Sequence, residues 1–151
     1  MREPTFERLK LKITETGDKV KFSLDKSIGK AFKKDRGKIY IISKGKKVVY
    51  VGETKRSIIK RLNDSRNAIY RHQFFTDRNK DTELIVSIAV FAEEYNDSHK
   101  EILEAIEGEI VYLIRNNSGS WPMFQNEIHF HNTPGAEKLA KYILANLNLT
   151  F

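Results

Sequence analysis

Apolar residues recur along this chain with two periods, and the switches between them lay out the elements. "KVKFSLD" (19–25) alternates polar and apolar positions and predicts a short strand. "SIGKAFKKDRG" reads as a helical turn or loop ended by Gly37. "KIYIIS" (38–43) and "KVVYVG" (47–52) are β-branched and aromatic runs joined by "KGK", where Gly45 supplies a turn, and together they predict a β-hairpin. Strict alternation puts Tyr40 on the face of Ile42, and Tyr50 on the face of Val48. A helix is predicted over 57–71, with Thr54 or Ser57 as its cap. Its inner stripe is Ile58, Leu62 and Ile69, ringed by Arg56, Lys60, Arg61, Arg66 and Arg71. After a loop at 76–81, "ELIVSIAVF" (83–91) is apolar enough for a central strand.

The second half continues the pattern. A helix opens at 97, with Ser98 and Glu101 as a capping box. Ile102, Leu103, Ile106, Ile110, Leu113 and Ile114 form its stripe, and it ends near Arg115. "FQNEIHFHN" (124–132) reads as extended. Thr133 caps a last helix that has Pro134 at its first position, runs to about Asn146 and buries Leu139, Tyr142, Ile143 and Leu147. The order hairpin, helix, strand, helix, extended segment, helix predicts an α+β domain: a small antiparallel sheet flanked by helices. Within it, residues 1–36 are expected as a basic N-terminal extension, 37–132 as the core, and 133–151 as a C-terminal helix packed on the core.

Composition narrows the function classes. None of the 151 residues is cysteine, which excludes disulfides, thiolate zinc sites and a cysteine nucleophile and suggests a reducing, cytoplasmic setting. No apolar run approaches about 20 residues, so no membrane helix or membrane partner is expected. "MREPTFERLK" has no apolar core of a secretory signal. Residues 1–80 carry 23 Lys+Arg against 9 Asp+Glu, and residues 81–151 carry 4 against 11. A basic half beside an acidic half points to a polyanionic partner, most simply DNA.

The hairpin and its helix carry the candidate chemistry. "KIY" at 38–40, "YVG" at 50–52 and the following "ETKRSIIKRL" resemble the two motifs and first helix of the GIY-YIG nuclease family, over about 60% of the chain (37–126). Lys38 stands where that family often has glycine. The resemblance implies a phosphodiester-hydrolysing DNA endonuclease using Mg²⁺ or Mn²⁺. Tyr40 matches the tyrosine beside the attacking water, as general base or its orienter, and Tyr50 the tyrosine that supports it. Gly52 matches the glycine that lets backbone approach substrate, Arg61 the phosphate-binding arginine, and Asn126 the buttressing asparagine. Many members have a histidine one turn after the arginine; here that position is Ser65, and His72 lies further on. Lys60 competes with Arg61 on spacing, while "R-S-x-x-x-R-L" favours Arg61. A free tyrosine is a poor base at neutral pH, and a cation such as Lys47, Lys60 or Arg61 favours its phenolate.

The resemblance also implies one metal-binding glutamate on the long helix. The helical wheel excludes Glu104 and places Glu107 and Glu109 on opposite edges of the stripe, without choosing. Glu109, followed by "IVYLIR", fits the family pattern better and is the expected ligand. Lys47, Lys55, Arg56, Lys60, Arg66 and His72, with Gly52, are the expected DNA contacts. Glu127, His129 and His131 share one face of any strand there, as a metal trio or an ordinary polar face. Trp121 with Pro122 can stack on a base or plug the core. A single site would nick DNA, whereas a homodimer would cut both strands. The alternative is a catalytically inactive nucleic-acid-binding module of the same fold.

Overall fold

Leu9, Leu11 and Ile13 alternate with Arg8, Lys10 and Lys12 near the N-terminus. In the computed structural model, which describes residues 1–65, 74–122, 132–147 and 149, this segment is strand β1 (Thr5–Glu15), with those three apolar side chains fully buried and those three cations exposed. It is followed by β2 (Lys21–Leu24), β3 (Arg36–Lys44), β4 (Lys47–Thr54), α1 (Ile58–Ser65), β5 (Glu83–Glu94), α2 (Asp97–Ser118) and α3 (Ala136–Leu147). The five strands form one antiparallel sheet in the order β2-β1-β5-β3-β4. β1 pairs with β5 from Thr5↔Val90 to Lys12↔Glu83. Residues 5–24 therefore build one side of the sheet and are not an arm ahead of it.

Both faces of the sheet are covered. On one, Leu9, Leu11, Tyr40, Ile42, Ile88 and Phe74 pack with Ile58 and Leu62 of α1. On the other, Ile39, Ile41, Val51 and Phe91 pack under Leu103, Ile106 and Ile110 of α2 and Ile143 of α3. Each such aliphatic side chain contributes roughly 1.5–3 kcal/mol by leaving water. α1 and α2 thus lie on opposite faces, with β4 as the sheet's edge on their side.

Several boundaries differ from expectation for local reasons. α2 is capped by Asn96, two residues before the expected Ser98: the Asn96 carboxamide accepts the Ser98 N–H at 3.0 Å, and the Asn96 N–H donates to His99 Nδ1 at 3.3 Å. α2 runs past Arg115 to Ser118. α3 starts at Ala136, because Gly135 takes φ 86, outside helical space, and Thr133 closes a turn by accepting the Ala136 N–H at 3.2 Å. The end of the expected 57–71 helix and the expected extended piece at 124–132 lie largely outside the described residues.

Candidate active site

A β-bulge sets the first two functional side chains. Ile42 faces Tyr50 and Ser43 faces Val48, so Val49 is an extra residue in β4. The expected sharing of a face by Tyr50 and Val48 is broken there. Val48 joins the α2 side, while Tyr50 turns to the side of Tyr40. The two rings stand 6.0 Å apart at 32°, and Tyr50 meets Phe74 at 5.4 Å. The Tyr40 ring lies against Gly52, its cross-strand partner; a Cβ at Gly52 would stand 2.4 Å from Tyr40 Cζ. Glycine here makes room for a ring.

The β4–α1 junction supplies the cation. Thr54 Oγ1 accepts the Arg56 N–H at 3.0 Å and holds the turn, and Ser57 Oγ accepts the Lys60 N–H at 3.2 Å and caps α1. The half-buried Arg61 and the Tyr50 hydroxyl both donate to the Tyr40 hydroxyl oxygen. Lys60, its competitor on sequence spacing, turns away to Asp64 at 3.1 Å, and Arg56 binds the same carboxylate. These two cations hold the Asp64 carboxyl below its usual range, Lys60 most strongly.

Glu107 of α2 joins this cluster. Burial pushes the Tyr40 hydroxyl up to about 12, against the pull of Arg61 and helped by the Glu107 carboxylate. The Tyr50 hydroxyl moves further the same way, through burial, Tyr40 and Glu107. Burial acts to lower the Arg61 pKa, but the two tyrosines reverse the sign and keep the guanidinium protonated. The expected drift of Tyr40 toward phenolate is therefore overturned, because burial outweighs the cation. With its oxygen accepting from two donors and its proton retained at neutral pH, Tyr40 is arranged as an orienting phenol. Arg61, on the helix of one face of the sheet, is bonded to Tyr40, while Glu107, on the helix of the other face, acts on both tyrosines through its charge. Glu109, the expected metal ligand, lies instead within electrostatic reach of Lys141 on α3.

A cleft of about 460 Å³ opens beside Arg61, lined by Glu53, Lys55, Arg56, Tyr95, Asp97 and Lys100. Lys55 lies over the Tyr95 ring at 5.1 Å. Lys47 is exposed at the start of β4 and does not line this cleft. Among the described residues, no three His, Asp or Glu side chains converge on a preformed metal cage. Trp121 is half-exposed, with the Arg115 guanidinium 5.8 Å from its ring, while Pro122 is buried. Arg66, His72, Asn126 and the trio Glu127, His129 and His131 lie outside the described residues.

Lys38 is the residue whose importance sequence reasoning missed. It is fully buried, and its Nζ donates to the carbonyl oxygens of Lys33 at 2.6 Å, Arg36 at 2.8 Å and Arg56 at 2.8 Å. Burial lowers its pKa to about 8, against the pull of Asp35. One ammonium thus ties the loop before β3 to the turn that launches α1. The available signal was a lysine opening an otherwise apolar strand. Comparison with models of protein families, with curated proteins and with solved structures finds no match for this chain.

Proposed function

We propose that this chain is a divalent-metal-dependent DNA endonuclease of the GIY-YIG type, acting in the cytoplasm. The observation that carries the reading is the cluster itself: an arginine donating to the inner of two stacked tyrosines, a glutamate in electrostatic reach of both, and an open basic cleft alongside. Arg61 binds the scissile phosphate, where its planar fork matches two oxygens and stabilises growing negative charge. Tyr40 orients the attacking water, and Tyr50 fixes Tyr40. Lys55, Arg56 and Lys100 contact the phosphodiester backbone without reading sequence.

Mg²⁺ or Mn²⁺ need few protein carboxylates, because water and substrate oxygens complete their shells. Glu107, whose charge reaches the Tyr40 cluster, is the residue that would hold the ion, and Glu53 and Asp97 line the cleft beside Arg61. When bound, the ion supplies neutralisation of charge on the phosphate. The complete burial of Tyr40 favours a second reading, a DNA-binding module of the same fold without catalysis.

The test is supercoiled plasmid incubated with Mg²⁺ or Mn²⁺, and with EDTA. Wild type is expected to relax or linearise it only with metal. Arg61→Ala and Glu107→Ala should lose the activity and Glu109→Ala should keep it. Intact plasmid and intact genomic DNA with retained DNA binding would establish the second reading. Undiminished cleavage by Arg61→Ala would overturn the assignment of the site.

A further inference from the structure

A second pocket, of about 180 Å³, lies where the loop before β3 meets the facing ends of β1 and β5. Lys30, Lys33, Arg36 and Thr5 line it over Val90 and Ala92, and no carboxylate is among its lining residues. Glu7, the acidic side chain on the adjoining stretch of β1, is turned to the backbone, where it accepts the Ala31 N–H at 2.9 Å. Three cationic residues line this small concave space together with Thr5, a lining suited to a tetrahedral dianion or a phosphodiester; the Arg36 guanidinium also donates to Asp35 O at 3.2 Å.

The backbone joins this pocket to the Arg61 cleft. Two of its residues, Lys33 and Arg36, and one cleft residue, Arg56, present their carbonyl oxygens to the same Lys38 ammonium. Asp35, between the two pocket residues, donates its N–H to Lys55 O at 2.9 Å and accepts the Tyr95 N–H at 2.9 Å, so it touches both walls of the cleft. Residues 33–36 therefore link the two sites: Lys33 and Arg36 line the pocket, and Asp35 between them is bonded to Lys55 and Tyr95 of the cleft. The link is made by one buried ammonium and two backbone hydrogen bonds.

We infer that the Lys30–Lys33–Arg36 pocket is a second phosphate subsite, taking a backbone phosphodiester of the DNA strand whose scissile phosphate lies at Arg61. This rests on reading the Arg61 cluster as a DNA-cutting site. It adds a contact remote from the chemistry that fixes how the strand lies across the β4 edge, and Lys38 is the positioning residue that keeps the two phosphate sites in register.

The experiment is equilibrium binding of a fluorescein-labelled DNA duplex in EDTA, where no cutting occurs, from 50 to 200 mM KCl. Lys33→Gln/Arg36→Gln is compared with wild type and with Lys10→Gln/Lys12→Gln, which makes the same charge change on the exposed face of β1. The pocket variant is expected to bind about tenfold more weakly at the lower salt. Its log–log salt slope should fall by about 0.9, the loss of one phosphate contact. The β1 variant should keep the wild-type slope. An unchanged slope in the pocket variant, or an equal fall in both variants, would overturn the subsite. Tighter binding to an RNA duplex of the same sequence would overturn the assignment to DNA. Plasmid cleavage is read separately: failure to cut with the slope change present removes the nuclease reading alone, whereas cutting without the slope change removes the subsite alone.

Discussion

Lys38→Met removes the buried ammonium while keeping most of its volume, so its effect can be worked out from the groups around it. Three carbonyl oxygens, on Lys33, Arg36 and Arg56, lose their donor. Hydrogen bonds to a charged group are worth roughly 1.5–3 kcal/mol each. Against them stands the burial of the charge. Lowering the pKa from 10.5 to about 8 means that protonated Lys38 costs the fold about 3 kcal/mol at pH 7. The net loss expected at pH 7 is about 3 kcal/mol, measured by urea unfolding. The pH dependence is the sharper test. Between pH 8 and 10.5 the unfolded chain holds this proton and the folded chain has released it, so stability rises with pH in that window. At pH 10 the cost has fallen to about 1 kcal/mol. Asp35, Glu7 and Arg36, the charged groups that act on Lys38, are present in both proteins and cancel in the difference. The stability gap between wild type and Lys38→Met should therefore widen by about 2 kcal/mol from pH 7 to pH 10. A constant or narrowing gap would refute the buried-ammonium account.

Gly52→Ala forces a Cβ to 2.4 Å from Tyr40 Cζ; overpacking of this kind costs about 1–3 kcal/mol, visible in thermal unfolding, and the displaced ring should also lower plasmid cleavage. Tyr40 should titrate near pH 12 by absorbance at 295 nm, above the usual tyrosine range, and Tyr40→Phe should remove that step; a step near pH 10 lost in Tyr40→Phe would contradict the burial. Leu11→Ala should cost roughly 2–5 kcal/mol in urea unfolding because Leu11 is fully buried in a strand paired on both sides, whereas a dispensable arm would lose almost nothing.

What the sequence made legible was set by how far side chains follow a simple period. The hairpin, the central strand β5 and the long helix were readable because Ile39, Ile41, Leu103, Ile106 and their neighbours repeat cleanly. β1 alternates just as cleanly, but its outward set, Arg8, Lys10 and Lys12, is charged enough that the segment reads as a basic arm; only pairing with β5 shows that Leu9, Leu11 and Ile13 are core. The choice between Glu107 and Glu109 depended on where the helix sits, since both lie at the stripe's edges. In the structure the Glu107 charge acts on Tyr40 and Tyr50, and the Glu109 charge acts on Lys141 of α3. Tyr50 is the instructive case. Period-two reasoning gave it the wrong strand neighbour, because one extra residue at Val49 inverts the alternation. That inversion sends Val48 to the α2 side, while the Ile42↔Tyr50 register puts Tyr50 beside Tyr40 and within reach of Arg61. A bulge is invisible to a count of apolar positions, since Val48, Val49 and Tyr50 all suit a strand equally well. The pairing of the two tyrosines therefore follows from the strand register and not from the pattern. Deleting Val49 should remove the bulge yet leave Ile42↔Tyr50 and Ser43↔Val48 paired, so Tyr50 should stay on the face of Tyr40 and plasmid cleavage should persist; loss of cleavage in a folded deletion variant would refute this register.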